Sequence, residues 1–375
     1  MIDRVLESTV AGKLDSGKAI IIVGARQTGK TTLVRRVLDG REYLFLNGDD
    51  PSVRAVLTDA NSQQIRRLLA GHQIVFLDEA QRIPRIGITL KIITDQFPDV
   101  RLLVSASSSF DMGQELNEPL TGRKWEYTLF PVSWEEFEDH VGYLPAEQQL
   151  ETRLIYGSYP EIVASPGEER ERLQQLVGSY LYRDILAYSG IRKPEVLDHL
   201  LQALAFQVGG EVNYNELSQT IGLNKGTVAD YIDILEKGYV VFRLSSFSRN
   251  LRNEIKRTRK IYFYDNGVRN AVVGNFQPIE LRPDKGALWE NFLVSERRKH
   301  NVYQKTGARM SFWRTRQKQE IDYVEELDGR IAAYEFKWKS RPPRISSSFL
   351  STYRAEGHVV HRQNFREFVR SDAEG

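Results

Sequence analysis

No cysteine occurs among the 375 residues, which excludes disulfides, thiolate metal centres and cysteine nucleophiles together and suits a reducing compartment. Long apolar runs are missing too. None approaches the roughly 20 residues that span a bilayer, and the opening Met1-Ile2-Asp3-Arg4-Val5-Leu6-Glu7 has no apolar signal-peptide core. A cytoplasmic location without membrane contact is the expectation. Net charge is scarce as well: 52 Lys and Arg against 50 Asp and Glu leave +2, too little for a globally basic nucleic-acid binder. Any contact with DNA or RNA must therefore come from local patches. Internal repeats and low-complexity tracts are absent. What remains, 41% apolar and 27% charged residues, describes an ordinary globular chain long enough for two or three cores.

The chain is organised around Ala19-Ile20-Ile21-Ile22-Val23-Gly24-Ala25-Arg26-Gln27-Thr28-Gly29-Lys30-Thr31-Thr32. The apolar run predicts a buried strand, and the residues after it fit G-x-x-x-x-G-K-[ST] with a helix behind. A triphosphate can be surrounded by backbone N–H groups only where side chains leave room, hence Gly24 and Gly29. Ala25, Arg26, Gln27 and Thr28 complete the loop. Lys30 is expected to reach the β- and γ-phosphates and Thr31 to ligate Mg²⁺, with Thr32 beside it, so ATP and Mg²⁺ are the expected cofactors. The helix from Lys30 to Leu38 would aim its positive dipole end at the phosphates and stop at Asp39-Gly40. A similar spacing at Gly12 to Ala19 lacks the hydroxyl after its lysine and precedes the strand, so it is set aside.

Tyr43 to Asn47 predicts a second strand and Ser52 to Ala70 a polar helical stretch. Ile74-Val75-Phe76-Leu77-Asp78-Glu79 then reads as a strand ending in two carboxylates. Asp78 would hold Mg²⁺ through water and Glu79 would polarise the attacking water, so the pair implies hydrolysis as well as binding. Val100 to Val104 makes another strand, followed by Ser105 to Ser109. Ser107 is the candidate γ-phosphate sensor, with a plain turn as the alternative. Arg123, ahead of the strand Trp125 to Phe130, could stabilise transition-state charge in its own subunit or a neighbour's, or could form a surface salt bridge. Strands alternating with helices predict a parallel doubly wound sheet with nucleotide at its carboxyl edge.

These residues resemble the AAA-type ATPases of bacteria and archaea that carry a characteristic carboxy-terminal domain of unknown function. The likeness rests on Gly24 to Thr32, Phe76 to Gln81, Ser105 to Phe110, Leu120 to Arg123 and Phe130-Pro131-Val132-Ser133-Trp134-Glu135-Glu136-Phe137. It continues through Gly157-Ser158-Tyr159-Pro160-Glu161 and Tyr182-Arg183-Asp184-Ile185. It implies ATP binding by a fold related to origin-recognition and signal-transduction ATPases, and it leaves the use of the ATP open.

Ala146 to Leu201 is helical in pattern and similar to the lid of AAA-type proteins. Asn213 to Asn224 and Lys225 to Glu236 then form a helix, a glycine-containing turn and a second helix, with Tyr239 to Leu244 as wing: a winged helix-turn-helix pattern. The second helix offers Lys225 and Thr227 against Asp230, Asp233 and Glu236, which would repel phosphates, so packing or regulation is favoured over base reading. Arg249, Arg252, Lys256, Arg257, Arg259 and Lys260 crowd six positive charges into twelve residues against Glu254 alone, either as a solvated face or as a phosphate-contacting strip.

In the last third, Asp328-Gly329 is a preferred two-residue hairpin turn. Opposed residues then have numbers summing to 657, so Asp322 faces Glu335 and Glu320 faces Lys337. Opposed carboxylates have Cβ atoms about 5 Å apart and destabilise a sheet unless a positive charge lies between them. A divalent cation would supply it. Asp322, Glu335-Phe336-Lys337 and the helical Glu290 thus resemble the restriction-endonuclease-like PD-(D/E)xK pattern. In that family the acidic residues, here Glu290, Asp322 and Glu335, hold Mg²⁺ and the lysine, here Lys337, supports the water or phosphate.

The expected architecture is α/β: an AAA-type P-loop domain with a parallel sheet (1–140), a helical lid or linker (141–205), a winged-helix-like region (206–260) and a restriction-endonuclease-like domain (261–375). The expected function is ATP hydrolysis coupled to metal-dependent binding or cleavage of DNA or RNA. The alternative is a nucleotide-driven switch acting on a protein partner with the nuclease fold non-catalytic. A homo-oligomer is required only if Arg123 acts in trans.

Overall fold

The computed structural model describes residues 1–107, 119–178, 194–248, 259–315, 317, 319–340 and 345–370. Ser108 to Phe110, Tyr182 to Ile185 and the basic residues Arg249, Arg252, Lys256 and Arg257 with Glu254 lie outside the described residues. The chain divides into two compact units, Met1–Pro131 with Lys237–Tyr239, and Val132–Glu236 with Val240–Gly375.

The first unit is built on strands β1 (Ala19–Val23), β2 (Leu44–Asn47), β3 (Ile74–Asp78), β4 (Arg101–Ala106) and β5 (Lys124–Thr128), ordered β2-β3-β4-β1-β5. Every pairing is parallel. Strands β1 and β3 are buried at every residue, as their unbroken apolar runs require when helices cover both faces of a sheet. Ile21, Val23, Val75, Leu77, Leu102 and Val104 share one apolar core with the helix Ile86–Gln96 through Leu90 and Ile93. The polar stretch expected as one helix over 52–70 is two, Pro51–Leu57 and Ser62–Leu69. Asn61 divides them because its side chain accepts from the N–H of Gln63 and Gln64 while Gln64 reaches back to the N–H of Asn61, a capping box that starts the second helix afresh.

In the second unit, helices Trp134–Val141, Tyr143–Tyr156, Pro160–Val163, Glu169–Leu176 and Pro194–Phe206 lead to a small antiparallel sheet. Its strands, β6 (Glu211–Val212), β7 (Val241–Ser245) and β8 (Arg259–Phe263), are ordered β6-β8-β7. Helices Tyr214–Ile221 and Lys225–Lys237 lie in sequence between β6 and β7. The second of them buries Val228, Tyr231, Ile232, Ile234 and Leu235. Two of its acids are occupied, since the Arg243 guanidinium on β7 pairs with Asp233 and Glu236.

The same unit continues with helix Lys285–Tyr303, strands β9 (Arg309–Arg314), β10 (Glu320–Leu327) and β11 (Arg330–Phe336), helix Ser347–Tyr353, strand β12 (Glu356–Val360) and helix Phe365–Val369. The sheet runs β12-β11-β10-β9, antiparallel except between β11 and β12. Asp328 and Gly329 both have positive φ, 49° and 78°, the requirement of the hairpin turn. Tyr323 faces Tyr334 and Leu327 faces Arg330, the register expected from the turn. Ser246 bridges to Phe312, and Phe247 beyond β7 packs among Ile321, Val324 and Phe349, so the two sheets of this unit share apolar core. No described helix is long and apolar enough to cross a membrane.

Candidate functional site

The phosphate-type loop leaves β1 at its carboxyl end and runs into the helix Lys30–Val37. Gly24 has φ 151°, and a Cβ placed there would lie 2.1 Å from the carbonyl oxygen of Leu129; Gly29 caps the helix at φ 93°. Both positions therefore need glycine for backbone reasons. Within the loop, the Thr28 hydroxyl donates to the carbonyl of Ala25 at 2.8 Å, and Ala25 and Thr28 are buried while Arg26 and Gln27 are not. Lys30 is 5% exposed and turns its ammonium onto the carbonyls of Gly24 (3.0 Å) and Ala25 (2.7 Å). Thr32, next along the helix, is exposed.

Parallel pairing of β1, β4 and β3 brings their carboxyl ends to this loop. The Thr31 hydroxyl donates to the Asp78 carboxylate at 2.9 Å. Ser105, at the end of β4, donates to the other oxygen of Asp78 and accepts from the N–H of Glu79 at 3.4 Å. Glu79 stands in left-handed backbone, φ 51°. Its Oε2 accepts from the Ser107 hydroxyl at 3.0 Å and from the Gln81 amide at 2.5 Å, and that amide also donates to Ser107 at 2.7 Å. The structure thus brings together Gly24, Gly29, Lys30, Thr31, Asp78, Glu79 and Ser107. Hydroxyl and carboxylate oxygens side by side are the donor set of a hard divalent cation, and a strand-to-helix loop with glycine at both ends opens onto a helix N-terminus, so these residues fit Mg²⁺ and a nucleotide tail.

Arg123 is not part of this assembly. Its carbonyl accepts from the N–H of Ala19 at 3.0 Å, and β5 begins opposite Ala19 at Lys124. Because β5 runs parallel to β1, Arg123 sits at the amino end of the sheet, about 13 Å of strand away from the loop. Its guanidinium pairs there with Asp95. A role for Arg123 on its own chain's nucleotide is therefore corrected to a salt bridge. Conversely, sequence reading missed Arg4, Ser105 as partner of Asp78, and Gln81 as partner of Glu79. Ser105 and Gln81 carried a signal in lying beside chosen residues; Arg4 carried none.

The second acidic group lies between β8, β10, β11 and the helix Lys285–Tyr303. Asp322 accepts from the N–H of Phe336 at 2.8 Å, and Lys337 lies 2.9 Å from Glu335 and 3.9 Å from Asp322. Glu290 accepts from the Tyr262 hydroxyl at 2.7 Å. The decisive neighbour is Lys260 on β8, 1% exposed, its ammonium 3.0 Å from Glu290 and 2.7 Å from Glu320. Lys260 is thus no member of a surface phosphate strip, and Glu320 pairs with it rather than with Lys337. Burial alone would lower the Lys260 pKa, but Glu290 and Glu320 hold it above its ordinary value. Burial pushes Glu290 up to about 7 despite Lys260, and it raises Asp322 and Glu335 as well. The positive charge that the opposed carboxylates demand is supplied by two lysines. Among the described residues no group of three or more His, Asp or Glu is arranged to hold a metal ion; Glu290, Asp322 and Glu335, the expected ligand set, are here in contact with Lys260 and Lys337.

Residues 16–138 match the family described as AAA domain. Residues 147–278 and 285–372 match two domains of unknown function, DUF8612 and DUF4143. The chain is 28% identical over 343 residues to an uncharacterized protein of Mycobacterium tuberculosis and to one of Mycobacterium bovis, covering 90% of this chain and 74% of each relative. It is 24% identical over 277 residues to an uncharacterized protein of Haemophilus influenzae, covering 68% of this chain and 69% of that one. Among solved structures it is similar to the Walker-type ATPase PABY2304 of Pyrococcus abyssi, with TM-score 0.52, 16% identity, and 72% of this chain and 96% of that one covered. At that identity the likeness shows the fold alone. Residues 16–138 thus carry the AAA-domain match on a parallel sheet of the P-loop ATPase fold, and the match to the domain of unknown function DUF4143 follows at 285–372.

Proposed function

We propose that the chain binds ATP with Mg²⁺ on the loop 24–31, hydrolyses it, and uses the cycle as a switch toward a partner. The observation that carries this reading is the Thr31 hydroxyl 2.9 Å from the Asp78 carboxylate, beside a loop that has no room for a Cβ at Gly24. Bound Mg²⁺ would be held by Thr31 and Asp78 and would neutralise phosphate charge. Lys30 leaves the carbonyls of Gly24 and Ala25 to meet the β- and γ-phosphates. Glu79, oriented by Ser107 and Gln81, polarises the attacking water. Lys30→Ala is expected to abolish turnover and Glu79→Gln to leave ATP bound but uncleaved. Turnover retained in both variants overturns the assignment.

A second reading gives the last domain a nuclease-like role. The succession of one helix, β9, β10, β11, a second helix and β12, with Glu290 on the first helix, Asp322 on β10 and Glu335 on β11, supports likeness to the PD-(D/E)xK pattern. The pairing of these acids with Lys260 and Lys337 favours a non-catalytic use of that fold, and hence the switch. The helices Tyr214–Ile221 and Lys225–Lys237 with the β6-β8-β7 sheet support a winged-helix-like unit, but the ties of Asp233 and Glu236 to Arg243 favour packing over DNA contact. Cleavage of DNA or RNA with Mg²⁺ or Mn²⁺ that vanishes in Asp322→Ala but survives Lys30→Ala would establish the nuclease. Nucleotide-dependent capture of a protein partner without cleavage would establish the switch.

A further inference from the structure

A nest of amides converging on an anion turns the carbonyls of the same peptides outward, where they need donors of their own. In this loop the Thr28 carbonyl has such a donor. Arg4, 8% exposed, donates from Nη1 to Thr28 at 2.7 Å and from Nη2 to the carbonyl of Phe130 at 2.7 Å. Phe130 follows Leu129, whose N–H donates to Val23 at 2.7 Å and whose carbonyl bars any side chain at Gly24. One guanidinium therefore pins the loop to the chain segment that limits it on the other side.

The segment bearing Arg4 is itself anchored. Arg36, on the helix that follows the loop, donates to Asp3 at 2.7 Å and to the carbonyl of Ile2 at 3.3 Å, and pairs with Glu7 at 3.1 Å. Leu6 and Val10 of the helix Leu6–Ala11 are buried. The planar fork of arginine reaches two carbonyls at once, which a lysine ammonium on a flexible stem does less well.

We propose that Arg4 is a positioning residue for the triphosphate: by holding the Thr28 carbonyl it fixes the Thr28–Gly29 peptide so that the Gly29 N–H stays available to the phosphates, and it places a permanent positive charge behind the loop. This rests on the ATP reading above. The test compares wild type with Arg4→Ala, Arg4→Lys and Arg36→Ala in equilibrium binding of ATP, steady-state kcat and KM, and thermal melting. Arg4→Ala is expected to raise Kd and KM for ATP roughly tenfold or more, as the loss of charge-assisted bonds implies, with kcat nearly unchanged. Arg4→Lys should recover part of the loss, and Arg36→Ala, which loosens the anchoring of the Arg4 segment without removing its bond to Thr28, should raise Kd less than Arg4→Ala does. If the alanine variant does not fold, Arg4→Lys carries the same comparison. Wild-type Kd in Arg4→Ala, or a fall in kcat at unchanged KM with a lower melting point, overturns the assignment to Arg4 alone. Failure of the wild type to take up ATP overturns the parent reading and this one with it.

Discussion

Lys260→Met tests whether the acidic group of the last domain is balanced from within. Methionine keeps the length and apolar stem of lysine and deletes the charge, so the loss reports electrostatics more than packing. The ammonium is buried against Glu290 and Glu320. Removing one member of a buried ion pair costs about 3–5 kcal/mol. Glu320 is 30% exposed and partly screened, which places the expectation near the lower end. The loss must also depend on pH. Glu290 has a folded pKa of about 7 against an ordinary 4.5. As pH rises through that window the unfolded chain gives up its proton first, so stability falls with pH. Without Lys260 the folded value rises further and the fall extends to higher pH. The variant should therefore lose little at pH 5.5 and about 3 kcal/mol at pH 8.5, roughly 6–12 °C in melting temperature for a unit of this size. Thermal or denaturant unfolding at both pH values measures it, and Glu290→Gln added to Lys260→Met should restore much of the loss. Equal losses at the two pH values, or none at pH 8.5, would refute the internal counter-ion.

Three further outcomes follow from local geometry. Gly24→Ala puts a Cβ against the Leu129 carbonyl, so the loop must shift; ATP uptake should fall about tenfold or more while the circular dichroism of the fold is kept. Gly157→Ala meets Asp265 Oδ1 at 1.9 Å in left-handed backbone, φ 72°, and should cost about 3 kcal/mol or more in denaturant unfolding. Asp284 is raised by burial but brought down to about 2, below its ordinary 3.8, by Arg282 and Arg269. Its contribution is present above about pH 4 and lost as pH falls toward 2, so Asp284→Asn should be less stable at neutral pH and should flatten that stretch of the acid-unfolding curve.

The nucleotide loop was legible because its chemistry is written in consecutive residues: glycines, lysine and hydroxyl follow one buried strand. The Asp328-Gly329 hairpin was legible for a similar reason, since a two-residue turn leaves one register open and Tyr323 opposite Tyr334 is its result. Failures came where one-dimensional proximity misled. Arg123 reads as close to the site only until the parallel pairing of β5 with Ala19 turns it to the far edge. Lys260 looks like the last member of a basic run, yet it is buried, because β8 is the middle strand of its sheet and Glu290 on the helix Lys285–Tyr303 pairs with it. Arg4 lies 24 residues from the carbonyl it holds, and nothing in a lone arginine announces a distant partner. Ser105 and Ser107 are separated by a single residue but part company: one serves Asp78 and the other Glu79.

The meeting of the small and large sheets bears on how the protein can be divided. A fragment begun at residue 285, where the match to the last domain begins, would lack Phe247, which fills its apolar interior, and Lys260, which offsets Glu290 and Glu320. Such a piece would expose an aromatic-lined hole and an unbalanced acidic patch. The smallest part able to fold by itself must reach back at least to Phe247, so cutting this chain at the start of that match would produce insoluble material for reasons unrelated to its function.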